Sequence, residues 1–309
     1  MVKIFAWLLA AMLPCAAYGE DFRLLLESSL SHDTDGQQES EQYAGYVAAL
    51  PSQGKGSSAG LRAGYLELAD TSNRLGFAAL RLDYQRNLDD RLKYALRFKQ
   101  LASSDWSPTL GGAGISYEAS PRWHFEGSAD SDIIDTVSAA SRHLRVVTYN
   151  LAADDHLDES WTVVAGVLHQ NITDGNVRTG GLLKLVFAPP SVAGFNVQLR
   201  VRRVASDFAG VGYFAPERLT EALLLFQYGA ALPGDKWTLT ALAGGGTQRV
   251  NDQDSARIYR AELRLRGWFT EHLGLEGQAG CSNTGGFNTS SAGGGYRYCF
   301  GHVGLIGSW

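Results

Sequence analysis

Long apolar runs are missing from this chain: no stretch approaches the ~18 uninterrupted apolar residues that a membrane-crossing helix needs, so any crossing falls to strands. Metal-ligand spacing is missing as well. The 7 histidines stand singly, without His-x-x-His or Cys/His patterns, and no metal or cofactor is expected. No local pattern joins a serine to a base. His143 and His169 are the nearest candidates, and an enzyme is not expected. The run Gly244-Gly245-Gly246 ends a strand-like stretch with no helix behind it, which excludes a phosphate cradle. Basic clusters are absent under a net charge of −5, which argues against nucleic acid as a partner.

What is present begins with an export pattern. Lys3 precedes an apolar run from Ile4 to Leu13 and small residues ending Ala17-Tyr18-Gly19, the n-region, h-region and cleavage pattern of a secretory signal. Residues 1–19 are expected to be a signal peptide and 20–309 a single barrel, with Glu20 or a near neighbour at the mature end. Cys15 follows Pro14, a poor fit to a lipoprotein site, and is read as part of the signal. Cys281 and Cys299 remain, and an exported chain meets an oxidising compartment, so they are expected to pair. The composition holds 36 Gly and 33 aromatics against only 2 Met, and its mean hydropathy of −0.13 conceals the alternation described next.

From Tyr296 the chain reads as one strand to Trp309, with Gly301, Val303, Leu305 and Gly307 giving an apolar face at two-residue steps. Strands long enough to cross a bilayer at a tilt, about 9–11 residues, mark a transmembrane β-barrel whose last strand pairs with its first. The terminal aromatic resembles the signal read by the machinery that inserts bacterial outer-membrane barrels. Candidate strands lie at 22–31, 41–50, 57–68, 74–86, 91–101, 108–118, 122–129, 137–150, 160–170, 177–187, 195–204, 219–230, 237–248, 257–268, 273–281 and 295–309, about sixteen in all. Compact breaks such as Asn87-Leu88-Asp89-Asp90 alternate with longer ones such as 207–218 and 282–292. Short turns on one side and longer loops on the other are expected of a bacterial outer-membrane barrel with both termini in the periplasm.

Three strands alternate cleanly. Arg91, Lys93, Arg97 and Lys99 share one face of the first; Arg200 and Arg202 share one face of the second; Arg260, Glu262, Arg264 and Arg266 share one face of the third. If the opposite, apolar faces meet lipid, all of these line the lumen, which is expected to be locally basic and to favour anions or hydroxyl-rich chains. Two readings stand side by side: arginines paired with carboxylates that brace the wall, or a hydrated conduit whose guanidinium groups bond a passing solute. A soluble sandwich or lipocalin-like protein also alternates. Against it, Trp106, Trp123, Trp161, Trp237 and Trp268 lie at or near proposed strand ends, where interfacial girdles belong. In an antiparallel hairpin centred on residue 290, Cys281 and Cys299 sit opposite each other on one face, within disulfide range.

The segment Gly212-Tyr213-Phe214-Ala215-Pro216-Glu217-Arg218-Leu219 resembles the Gly-Tyr-aromatic-x-Pro-Gln motif in the C-terminal barrel of the cellulose synthase operon protein C family, with Glu217 where the family has Gln. The looser likeness runs on to Trp309. It implies an outer-membrane channel exporting an exopolysaccharide, cellulose-like or anionic, with the polymer in transit and a periplasmic scaffold or synthase as partners. Tetratricopeptide repeats, which the family carries before its barrel, are not seen here, so a separate protein would have to supply that coupling. Other readings are a general porin or small-solute channel, and a structural or adhesive surface barrel.

Overall fold

Alternating residues give an extended chain one apolar and one polar face, and a sheet of such strands leaves open edges unless it closes on itself. A computed structural model describes residues 22–51, 56–234, 236–284 and 296–308. The strands are β1 (Phe22–Asp33), β2 (Gln38–Ala49), β3 (Ser58–Ala69), β4 (Arg74–Asn87), β5 (Leu92–Ala102), β6 (Thr109–Glu118), β7 (Trp123–Ile133) and β8 (Arg145–His156). They continue as β9 (Trp161–Ile172), β10 (Val177–Phe187), β11 (Phe195–Ser206), β12 (Arg218–Ala231), β13 (Trp237–Val250), β14 (Ala256–Trp268), β15 (Leu273–Ser282) and β16 (Tyr298–Ser308). Each pairs antiparallel with its sequence neighbour, and β1 pairs with β16 from Arg23 opposite Ser308 to Asp33 opposite Tyr298, closing the barrel. The expected signal peptide, Glu20, Trp309 and the loop tip at 285–295 lie outside the described residues.

The eighth expected strand, 137–150, is corrected. Residues Val137–Ser141 form a short helix, α1, and β8 starts only at Arg145 and runs on to His156. Thr136 accepts the Ala139 N–H and caps the turn, while Val137, Ala139 and Ala140 are buried. Its residues, Val-Ser-Ala-Ala-Ser, satisfy one helical turn as readily as a strand.

A chord fixes which face is the lumen. Lys99 on β5 lies 3.1 Å from Glu41 on β2, a pairing across two intervening strands that only the interior permits. Following the register outward from that pair puts Leu82, Phe98, Ile115, Leu151, Val167, Leu199, Phe226 and Leu263 on the outer face, all exposed. Left in water, each would forfeit about 1.5–3 kcal/mol of burial, so this band is the lipid-contacting surface. Trp123, Trp161 and Trp237 stand at one rim, stacked on Phe125, tilted against Phe187 and edge-on to Phe269 respectively. Trp106 and Trp268 do not join that girdle. The first packs inside the opposite mouth against Phe77, and the second takes an inner register position opposite Gly274.

Candidate functional site

The long connections 134–144 and 207–217 both leave the same end of the barrel, the end expected to face outward, and both fold back into it. Their landing surface is an apolar collar on the inner wall, where Tyr43, Leu66, Leu68, Phe77, Leu101 and Leu110 pack with Ile133, Val137 and Ala140. Ile134, Ala139 and Leu144 join Val146, Ile172, Tyr213 and Ala215 in a second cluster; Phe214 joins Val204 and Leu219 in a third. The two connections also bond each other. Thr136 Oγ1 donates to the Gly212 carbonyl, and Arg142 donates to the Val211 carbonyl at 2.8 Å. Gly212 has φ +81°, and a Cβ there would run into Ser138, so only glycine fits. Tyr213 Oη donates to Asp174 at 2.9 Å and accepts from Asn176 Nδ2 at 3.1 Å; burial pushes this phenol up to about 12. Of the segment singled out from sequence, Tyr213, Phe214 and Pro216 are buried as a wedge in this mouth, with Gly212 exposed at its edge.

At the inner end of this plug lies Asp135. Burial, then the carboxylates of Glu39 and Asp132, hold its carboxyl well above the usual carboxylate range, with Lys99 opposing.

Below the collar the inner wall is polar and densely paired. Arg97 reaches Asp130 at 2.6 Å, Arg81 reaches Asp83 at 2.9 Å, and Arg62 lies 3.5 Å from Glu27 and 3.4 Å from Asp83. Arg202 holds Glu221 at 2.9 Å, Arg260 holds its strand neighbour Glu262, and Arg264 contacts Gln278 at 3.3 Å. Arg200 and Arg266 occupy inner register positions beside them. Lys93 is exposed on the same face as Arg97, whereas Arg91 sits in the turn before β5. Sequence reasoning missed Arg62, Arg81, Asp83 and Asp130; the alternation Arg81-Leu82-Asp83-Tyr84-Gln85 carries that signal. It also missed the collar, where the phase reverses: Leu66 and Leu68 point in while Glu67 points out and pairs with Arg74.

The locally basic lumen expected from three strands is one part of a wall that the whole register makes mixed. Inner acids cluster on β1, β2, β7 and β8 as Glu27, Asp33, Glu39, Glu41, Glu126, Asp130, Asp132 and Asp154; inner bases occupy β3 to β5 as Arg62, Arg81, Lys93, Arg97 and Lys99, beside Asp83, and β10, β11 and β14 as Arg178, Lys184, Arg200, Arg202, Arg260, Arg264 and Arg266, with Glu221 and Glu262 among them. The three cleanest strands, β5, β11 and β14, each carry bases, and they sampled the basic part of a mixed wall. His143 stacks on Trp106 within the plug, and His169 is on the outer face beside Tyr149, so the two candidate catalytic histidines are not brought together. Cys281 and Cys299 face each other on β15 and β16 and form a disulfide, Cα to Cα 4.1 Å, on the outward set.

A closed barrel of sixteen antiparallel strands, with an apolar outer band and a polar bore, defines a bacterial outer-membrane channel. Solved structures agree on the fold. A bacterial polysaccharide outer membrane secretin matches with TM-score 0.72 at 8% identity, over 93% of this chain and 98% of its own. A variant of OccD1 (OprD) matches at 0.50 and 9% identity, over 94% of this chain and 96% of its own. At such identities the likeness is one of fold. No family profile matches the chain, and no curated protein matches it in sequence.

Proposed function

We propose that this barrel conducts a linear polysaccharide across the outer membrane. The observation that carries the reading is the barrel-wide likeness to a polysaccharide secretin, which spans nearly the full length of both chains. Two features of this chain support it. The bore below the collar is lined by ion pairs and hydroxyls that offer donors and acceptors in close succession, a surface suited to a hydroxyl-rich chain. The Gly212 to Pro216 wedge, which resembles the cellulose-export family, sits where an emerging polymer would have to pass. Arg97, Lys99, Arg200, Arg202, Arg260, Glu262, Arg264 and Arg266 are its pore-lining residues in this reading, with Arg91 and Lys93 at the entrance. A periplasmic scaffold or synthase would deliver the chain in this reading. Deleting the gene should abolish secreted polymer while leaving small-solute uptake unchanged. Undiminished secretion would refute the reading in favour of a general porin.

A further inference from the structure

On the periplasmic side of the collar, the wall from β3 to β7 is hollowed into a concavity of about 430 Å³. Its floor consists of Gly60, Ala95, Gly112 and Gly114. Packing explains part of this: a Cβ on Gly112 would run into the Asp130 carboxylate. It does not explain Gly114, where the nearest atom to an added Cβ is the Gly127 carbonyl oxygen at 3.8 Å, an ordinary contact. Ala95 is exposed as well. The sequence leaves room here that the fold does not require. Above the floor stand Arg62, Arg81, Arg97, Asp83 and Asp130, joined in the ion pairs already described. Each guanidinium has five N–H donors and each carboxylate several acceptor sites, and these pairs use only some of them. With Glu27, which also pairs with Arg62, three guanidinium groups meet three carboxylates, so an ion gains little, while a vicinal diol can both donate and accept.

We propose that this concavity is a subsite for neutral sugar units of a linear glycan, whose hydroxyls donate to Asp83 and Asp130 and accept from Arg62, Arg81 and Arg97. The proposal rests on the export reading for the presence of a glycan in the bore, and adds to it a place and a charge class. Its test uses the full mature barrel in detergent micelles, titrated calorimetrically with cellohexaose, with a hexamer of glucuronic acid and with a hexamer of glucosamine. Cellohexaose should bind more tightly than either charged hexamer. Gly114→Trp and Ala95→Trp should each weaken it by about tenfold or more. Gly166→Trp is the control, on the inner face of β9 and away from the concavity, where an added Cβ meets the Leu151 carbonyl oxygen at 3.4 Å and Ala152 Cβ at 3.8 Å. It should leave the affinity within about twofold. Should Gly114→Trp fail to fold, Ala95→Leu at its exposed position gives the same reading. Unchanged binding in the filled variants, an equal loss in the Gly166 control, or preference for a charged hexamer overturns the subsite. A wild-type barrel that restores secretion yet binds no cellohexaose overturns the subsite alone, whereas secretion that survives gene deletion overturns the export reading.

Discussion

Glu221 is the most thoroughly enclosed carboxylate of the bore: its side chain is 1% exposed, and Arg202 supplies its charge-assisted bond at 2.9 Å. Removing one member of a buried pair strands the other, a change that costs about 3–5 kcal/mol. Arg202→Leu should therefore lower the urea midpoint of the barrel in micelles sharply, and adding Glu221→Leu should recover most of the loss. Arg200 differs, because it makes no hydrogen bond or salt bridge among the described residues. Its charge faces the bore near Glu221 and Glu262, so neutralising it in Arg200→Gln should move the reversal potential toward cations with little change in the urea midpoint. An unmoved potential would mean that ions pass elsewhere. The arginines themselves were legible because alternation exposes which face a side chain takes. Their partners were not, since Arg97 with Asp130 and Lys99 with Glu41 join strands that are not neighbours, and no sequence period encodes a chord.

Strand positions were the most readable part of the chain, each bounded by turn residues and carrying its own period of two. The plug was unreadable by the same logic, because α1 is a single turn and takes its stability from the collar it covers. Thr136 is the joint of that element, capping α1 and bonding the second connection through Gly212. Thr136→Ala should cost about 1–2 kcal/mol and raise single-channel conductance by unseating the plug, while Thr136→Ser should behave as wild type. Seating also depends on pH. Asp135 binds its proton more tightly when seated than at its ordinary value of 3.8, with Glu39, Asp132, Glu41 and Lys99 facing it. Seating is then strongest below that value and weakens as pH rises toward the raised one, because the free segment has already released its proton. Conductance should climb with pH over that interval, and Asp135→Asn should flatten the climb; a slope unchanged in the variant would exonerate Asp135.

Closure of β1 on β16 gives the whole molecule its resistance to unfolding, since no edge remains from which strands can peel. The barrel should migrate faster on gels unheated than boiled, and identical mobility would contradict closure. The intermixing of acids and bases around the bore predicts a weak overall preference, with anion and cation permeabilities of comparable size in planar bilayers. That balance was hidden in the sequence because it emerges only when all sixteen inner faces are assembled. The disulfide has its own consequence at this scale. Cys281 and Cys299 border a shallow outer depression with Leu30, Ala243, Ala261 and Ala279, where acyl chains lie once the barrel is inserted. Exchange with another thiol proceeds through a thiolate, and hydrocarbon excludes that anion. Whether this hairpin is cross-linked is thus decided before the protein enters the membrane, and each mature copy keeps a lasting record of the oxidant supply at the moment of its assembly.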